Sequence, residues 1–521
     1  MAYRQLICFA GYPASDGTTC TVISHVNTAA TYTVTDGDRT FTSGSLSWTA
    51  IGTDRGSGPA QACYVATAAI TGLTGRFKQF TFTVTQGSAT GTCYFRLKPS
   101  TGDRFCVFDS GCNRSSYANM GMYRAIANAP YPVALVVLVD DFAYVDNQTV
   151  NDSETGHSTT AAPSTSLKEY DFAVAWMYCF GMMGDTYSTD FPDALASCNW
   201  AIQQGNHEFG GFSGIDTPGT GYCTTLGNKD GPGKVVYDAL FGALRPPPSS
   251  LGMSLTDTDA EPWMIDLGEL RILSPDTITS VTGLTVLGAN QEEDVRSAML
   301  TNPKAFTIFS SLTSFRNPVD PVSSQTIGSR GNYAAKSQTD FILSSGINSI
   351  MSTNGLNRVG RNFIFIRHDH HGAYVVKMKA AATGGNLAEK FYMLGVANVN
   401  GEQYHSDGTS GTSESDRVTN LVEDSEYDEA VLEYMARSNY KFTDYYVYDS
   451  RGQAAHILRI DCFFDENPYR ITLNLLRSSL DESSENSVWT KQFTHWFTDN
   501  FGETVGTEHT LVTGVTSTPL D

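Results

Sequence analysis

Four short blocks of the sequence contain side chains that bind metal ions. In chain order they are Asp109-Ser-Gly-Cys112, Asp140-Asp141-Phe-Ala-Tyr144, Gly205-Asn206-His207-Glu208 and His368-Asp369-His370-His371. Carboxylate, imidazole, amide and thiolate groups are ligands of hard and borderline metal ions, and a two-metal site also needs one ligand that bridges both ions. The four blocks therefore indicate a binuclear metal centre assembled from several segments.

Two of these blocks follow continuous apolar runs. Val133–Val139 ends at Asp140-Asp141, and Phe363–Ile366 ends just before His368. Such runs are typical of strands buried on both faces, with helices around them. Apolar periodicity predicts helices over 166–183, 235–244 and 291–300, and further strands near 444–464 and 469–476. Strands that deliver Asp and His at their carboxyl ends, alternating with helices, predict an α/β layered domain with its site along one sheet edge.

The first hundred residues have a different pattern. Between about residues 6 and 98, short runs such as Tyr32–Thr35 and Phe80–Thr85 alternate between apolar and polar side chains and are separated by Gly, Asp and Ser turns. This predicts a small all-β sandwich, and its closing strands resemble those of a fibronectin-like domain. At 521 residues the chain exceeds one core. We divide it into a β-sandwich over 1–100, the layered domain over 101–480 and a C-terminal extension over 481–521.

The formal net charge of -21 opposes binding to nucleic acid, whose phosphates repel carboxylates, and docking to anionic lipid. No apolar stretch has the length of a signal-peptide core or a membrane span. The sequence therefore predicts a soluble chain, located in the cytoplasm or carried to a virion or the extracellular space by a non-Sec route. Assembly into a homo-oligomer or a particle stays open.

The content and order of the four blocks resemble those of calcineurin-type metallophosphoesterases. Gly205–Glu208 is similar to the family's Gly-Asn-His-Glu block, and Asp140–Tyr144 to its Gly-Asp-x-x-Tyr block. Trp263–Thr277 resembles the strand that leads to Asp-Thr-Arg in the PhoD-type alkaline phosphatases, and 287–311 their Leu-Gly-x-x-Gln, helix and strand. The resemblance covers about residues 105–376. It implies a four-layer α/β/β/α sandwich behind the N-terminal domain.

Carried over position by position, the resemblance also implies a ligand set. Cys112 and Tyr144 would bind an iron-like ion, and Asp141 would bridge the two ions. Asn206 would hold the second ion, which is often calcium in the PhoD subgroup, and Asp109 belongs to the same set. Iron plus calcium is the implied pair of cofactors, with zinc or manganese as alternatives.

The last block fits two family patterns. His368 and His370 match the general Gly-His-x-His, whereas Asp369 and His371 match the PhoD form, Gly-Asp-x-His. We prefer the second pair, because no histidine lies between Glu208 and Asn362 and the PhoD form also lacks that middle ligand.

The implied activity is metal-dependent hydrolysis of a small phosphate ester, either a monoester or a diester. A hydroxide held between the ions would attack phosphorus in line, while His207 assists the leaving oxygen. Arg114 is a candidate phosphate clamp, since its planar guanidinium can bind two oxygens.

A second interpretation is a structural or receptor-binding protein, for example a phage virion component, with a degenerate form of the same fold. Asp140 replaces the glycine that precedes the bridging Asp in the family, Ile278 replaces an Arg, and Arg367 precedes the last block. Such changes weaken a metal site and leave a fold intact. Metal content would separate the two interpretations.

Overall fold

The computed structural model describes part of the chain in detail. The described residues are 4–55, 59–111, 123–139, 150–153, 155–159, 167–183, 190–205, 208, 231–246, 261–276, 291, 294–295, 297–298, 302, 304–311, 363–368, 373–380, 390–395, 440–449, 454–467, 469–479, 487–496 and 511–519.

The N-terminal residues form two four-stranded antiparallel sheets, with strand orders β1-β2-β6-β5 and β4-β3-β7-β8. The strands are Leu6–Ala10 (β1), Thr18–Ser24 (β2), Ala30–Thr35 (β3), Thr40–Leu46 (β4), Thr49–Ile51 (β5), Cys63–Ile70 (β6), Gln79–Gln86 (β7) and Ala89–Arg96 (β8). Both sheets contribute to one apolar cluster, with Val22 on the first and Phe80 and Phe82 on the second. The period-2 alternation of β7 places these phenylalanines inside and Thr81, which lies between them, on the partly exposed face.

A seven-stranded mixed sheet follows, with the order β11-β10-β9-β19-β20-β21-β22. Its strands are Arg104–Ser110 (β9), Val133–Val139 (β10), Trp200–Gln203 (β11), Ala454–Phe463 (β19), Arg470–Ser479 (β20), Ser487–Trp496 (β21) and Leu511–Pro519 (β22). β9, β10 and β11 run parallel, whereas β19 pairs antiparallel with β9 and begins an antiparallel half. The apolar run of β10 lies at the centre of the parallel half and is buried from Ala134 to Val139.

A second seven-stranded mixed sheet has the order β12-β13-β14-β15-β17-β16-β18. Its strands are Trp263–Leu267 (β12), Leu270–Ser274 (β13), Phe306–Ser311 (β14), Phe363–Arg367 (β15), Ala373–Ala380 (β16), Lys390–Gly395 (β17) and Tyr440–Asp449 (β18). β13, β14, β15 and β17 are parallel, and the remaining strands pair antiparallel.

The two seven-stranded sheets share one apolar cluster, in which Val107 and Val137 of the first sheet accompany Ile308 of the second. The opposite face of the first sheet packs against helices, through residues such as Phe108 and Trp176. The helices are Arg124–Ala127 (α1), Glu169–Cys179 (α2), Asp190–Ser197 (α3) and Pro232–Phe241 (α4), which a 3-10 turn over Gly242–Leu244 extends. Each large apolar side chain fully buried in these clusters stabilises the fold by about 1.5–3 kcal/mol.

The described part of the chain is therefore rich in sheet and has few helices. α2 and α4 lie where the sequence predicts helices, although the 166–183 helix is shorter than expected. No helix among the described residues has the length and apolarity needed to cross a membrane. The eight described cysteines are buried free thiols, and burial raises the pKa of Cys63 and of Cys198 to about 12.

The N-terminal sheets dock on the helical side of the molecule. Asn199 joins the two parts, since its amide donates to Gly11 O (2.8 Å) and its side-chain oxygen accepts from Arg96 N (2.8 Å). A second contact involves His25, after β2, and His157, whose rings lie 5.9 Å apart. His25 Nε2 is 3.0 Å from Met182 O, and the His157 ring stacks on Tyr170.

The two histidines make this contact sensitive to pH. Burial lowers the pKa of both below 6.5, and the neighbouring His25 lowers the pKa of His157 further, although the Asp152 carboxylate opposes both shifts. Arg55 adds positive charge nearby, since its guanidinium lies over the Tyr170 ring and donates to the Tyr170 hydroxyl (2.7 Å).

We expect the stability contributed by His157 to fall in acid. A lowered folded-state pKa means that the folded protein favours the neutral imidazole. The stability that His157 contributes is therefore fully present above 6.5, the pKa of the unfolded state. It is lost as the pH falls from there toward the lower pKa of the folded state. Replacing His157 by Phe keeps the ring that stacks on Tyr170 and removes this titration. Between about pH 7.5 and about pH 5.5, the melting temperature of His157→Phe should therefore fall less than that of the wild type. Equal falls would contradict this assignment.

Candidate metal centre

The parallel strands of the two large sheets end in polar residues. β9 ends at Asp109 and Ser110, and β11 ends at Gln203, two residues before Gly205. In the second sheet β14 ends at Ser310 and Ser311, and His368 follows β15. Neighbouring parallel strands end at the same edge of a sheet, which is where open α/β sheets bind ligands. These polar side chains therefore gather along one edge of each sheet.

Asp109 and His368 bring the two edges together. Asp109 Oδ1 lies 2.9 Å from His368 Nε2, and both side chains are almost completely buried. Ser310 Oγ lies 3.2 Å from the same ring nitrogen, and the His368 backbone N–H donates to Ser311 O (3.1 Å). The end of β15 is thus fixed to β14, and its imidazole reaches across to the first sheet.

Neither carboxylate oxygen of Asp109 accepts a hydrogen bond from a described residue. The 2.9 Å contact with His368 is close in distance but is not aligned as a hydrogen bond, and His368 Nδ1 also lacks a partner among the described residues. A buried carboxylate without donors is costly unless a cation compensates it. Two ligands at about 2.0–2.1 Å from one ion lie about 3 Å apart in octahedral geometry and about 3.4 Å apart in the tetrahedral geometry of zinc. The pair therefore fits two ligands of one metal ion.

Other buried polar atoms at this edge are unsatisfied within the described part of the chain. They are Ser110 Oγ, both amide atoms of Gln203, Gln204 Oε1 and Ser274 Oγ. The sequence analysis gave Gln203 and Ser274 no role. The sequence feature that could have identified them is a polar residue at the last position of a short buried strand. Both β11 and β13 end in this way. Their clustering marks a polar interior at the site rather than an extension of the apolar core.

Gly111 makes the approach of Asp109 and His368 sterically feasible. A Cβ at this position would lie 2.3 Å from Val139 O and 2.6 Å from His368 Nδ1. Only glycine therefore lets the chain leave β9 beneath the imidazole.

The Gly205–Glu208 block is held at both ends. Glu208 is buried, and its Oε2 accepts a hydrogen bond from Gly205 N (2.7 Å). Helix α4 packs against this block, since a Cβ on Gly233 would come within 2.0 Å of Glu208 O. Tyr237 of the same helix donates from its hydroxyl to Ile202 O (2.6 Å). Glu208 therefore constrains the backbone on either side of the predicted ligand Asn206.

The remaining predicted site residues lie outside the described residues. They are Cys112, Arg114, Asp141, Tyr144, Asn206, His207, Asp369, His370 and His371. Within the described ranges, no three His, Cys, Asp or Glu side chains group as a metal site. The structure thus brings Asp109 and His368 together, and the other assignments stay predictions.

We expect the Gly111→Ala substitution to disrupt the Asp109–His368 pair, because the added methyl group meets both the Val139 carbonyl and the imidazole. Such overpacking costs about 1–3 kcal/mol. Gly242→Ala is the matched control, since a Cβ at Gly242 has its nearest contact at 3.7 Å. Thermal denaturation of both variants checks this. A Gly111→Ala protein as stable as Gly242→Ala would contradict the close approach.

Comparisons with known proteins identify a solved structure with a similar architecture. A scan against family models and a search of curated proteins both find no match. A search of solved structures finds a chain described as "Structure of PhoD", with a TM-score of 0.61 at 12% sequence identity. The similarity covers 94% of this chain and 90% of that chain. It therefore extends over both the N-terminal sheets and the two large sheets, and the resemblance inferred from the sequence is confirmed at the level of fold: this protein has a PhoD-like fold.

Proposed function

We propose that this protein is a metal-dependent phosphoric ester hydrolase that acts on a phosphomonoester or a phosphodiester. The observation that carries the proposal is the buried contact of Asp109 with His368 across two sheets of a PhoD-like fold. A buried carboxylate that lacks a hydrogen-bond donor among the described residues, with an imidazole beside it, suits a cation and not an apolar core. Nothing in the described structure favours the structural or receptor-binding interpretation over this one.

The architecture supports a finer assignment of the fold. The apolar cluster shared by the large sheets and the helices on the outer face of the first sheet support three layers, α/β/β, of the proposed four-layer α/β/β/α sandwich. The two facing antiparallel sheets of the N-terminal residues support a fibronectin-like domain.

The proposed ligand set combines the Asp109–His368 contact with the family resemblance of the other blocks. Asp109 and His368 would hold one ion, with Cys112, Asp141 and Tyr144 completing its surroundings and Asn206 on the second ion. Because His368 reaches Asp109, we take His368 as a ligand of the last block, and the general family pattern would pair it with His370; Asp369 and His371, the pair preferred from the sequence, remain the alternative. The thiolate, imidazole and phenolate suit iron, zinc or manganese, whereas carboxylate and amide oxygens suit calcium.

The bound ions would supply activation of water and neutralisation of phosphoryl charge. The residues of the chain would do the rest. His207 would donate a proton to the leaving oxygen, and Arg114 would bind two phosphoryl oxygens through its guanidinium. Because the chain carries a net charge of -21, these cationic groups would also have to offset repulsion of an anionic ester.

Hydrolysis of p-nitrophenyl phosphate and of its bis ester, with and without chelator, tests this proposal. We expect two metal ions per chain and chelator-sensitive turnover, and the preferred ester will choose between monoesterase and diesterase. Replacing Asp109 by Asn should lower both turnover and metal content, with a rate loss of at least about 100-fold. Asp103→Asn is the matched control, because Asp103 lies just before the opposite end of β9 and pairs with Arg76 (2.9 Å).

The replacement of the predicted bridging ligand, Asp141→Asn, should abolish turnover in the same assays. Natively purified protein that is metal-free and inactive would refute the enzyme and favour the structural interpretation. Activity that survives both Asp109→Asn and Asp141→Asn would show that the site lies elsewhere.

A further inference from the structure

A second contact crosses between the large sheets, two strands away from the Asp109–His368 pair in each sheet. Asp276 follows β13 of the second sheet, and Gln204 follows β11 of the first. Gln204 Nε2 donates to Asp276 Oδ2 at 3.1 Å, and both side chains are buried, with exposures of 1% and 0%. Like His368 with Asp109, this pair joins the carboxyl ends of two strands from different sheets.

Asp276 is itself fixed from several directions. Its Oδ2 also accepts a hydrogen bond from Glu261 N (3.0 Å). Its backbone N–H donates to Gln291 Oε1 (2.8 Å), and its carbonyl accepts from Gln291 Nε2 (2.9 Å). Gln291 is fully buried as well. A carboxylate held at both its backbone and its side chain is a rigid acceptor.

Glu261 extends this network to helix α4. Its carboxylate pairs with Lys234 (2.8 Å) and with Arg245, and Arg245 also pairs with Asp238 (2.8 Å). Although burial opposes the shift, the charges of Arg245 and Lys234 lower the pKa of Glu261, so this network is ionised at neutral pH. α4 is the helix that packs against Glu208. One connected set of contacts therefore reaches both ends of the segment 204–208.

That segment contains the predicted metal ligand Asn206 and the predicted acid His207. Gln204 is tied to Asp276 on one side, and Glu208 is tied to Gly205 N and α4 on the other. The remaining amide oxygen of Gln204 has no partner among the described residues, so the bond to Asp276 is the one described side-chain tie at this end. This bond is the direct described side-chain link from this end of the segment to the second sheet, while the α4–Glu261 network links the other end indirectly.

We propose that Asp276 is a positioning residue, which through Gln204 fixes the backbone before the predicted ligand Asn206 and so strengthens binding of the second metal ion. This inference rests on the proposed function. Partners that orient metal ligands typically change metal affinity by about 10–100-fold when they are removed.

The test measures metal binding rather than turnover. The metal-free full-length protein is titrated with Mn²⁺, and bound ions are counted by equilibrium dialysis while electron paramagnetic resonance distinguishes single from paired ions. Gln204→Met keeps the length and volume of the side chain and removes its donor. We expect it to weaken the second Mn²⁺ by about 10–100-fold and to remove the paired-ion signal, with the first ion unchanged. Asp276→Asn is a second variant of the same contact; it keeps one oxygen as acceptor but removes the charge, so its effect should have the same direction and be smaller.

Asp266→Asn is the matched control. Asp266 lies in the same β12–β13 hairpin, but its carboxylate pairs with Arg271 (2.8 Å) at the opposite end. It should lower the melting temperature without changing the affinity for either ion. If Asp276 has a purely structural role, variants with the same loss of stability should bind metal ions equally well. The control Asp266→Asn and the test variants would then have the same affinities for Mn²⁺.

Three outcomes are distinct. Selective loss of the second ion in Gln204→Met or Asp276→Asn supports the inference. Wild-type affinity for both ions in these variants, or the same loss in Asp266→Asn, overturns it and leaves the proposed function standing. A wild-type protein that binds no Mn²⁺ overturns both together.

Discussion

The architecture depends on one electrostatic constraint, the burial of the Asp109 carboxylate without a hydrogen-bond donor among the described residues. A carboxylate in this position destabilises the fold unless something positive faces it. His368 is the group that the structure brings to it, from a strand of the other sheet and more than two hundred residues further along the chain. The two large sheets therefore meet at this point, in addition to the apolar cluster that they share.

Much of the surrounding structure serves that placement. Parallel pairing of β9 with β10 and of β14 with β15 sets the ends of these strands at common edges. The apolar cluster between the sheets holds them together, and Gly111 removes the side chain that would separate them. Two strands away in each sheet, Gln204 and Asp276 form a similar contact between the sheets, with a neutral amide donor in place of an imidazole. Two contacts therefore join the large sheets at their edges. The Asp109–His368 contact suits a bound cation, and the Gln204–Asp276 contact is a conventional hydrogen bond.

The sequence predicts individual buried strands well, but it predicts contacts between distant segments poorly. The run Val133–Val139 forms a buried strand over the same residues, because seven consecutive apolar side chains leave few alternatives. The block order also predicts that Asp109 and the His368 cluster belong to one site. It does not determine which member of that cluster meets Asp109, since neighbouring residues share the same local pattern. The sequence also does not predict that β19 pairs with β9 or that Gln204 contacts Asp276. Each contact joins segments that are far apart in the chain, and no local sequence pattern identifies the partner.

The most direct test of the central claim is anomalous X-ray diffraction from crystals of the natively purified protein. The account predicts an anomalous peak within about 2.0–2.6 Å of both the Asp109 carboxylate and the His368 imidazole. A second peak should lie about 3.5–4 Å from the first, as in other two-metal sites. Crystals that show no peak there, with Asp109 and His368 joined instead by an aligned hydrogen bond, would contradict it.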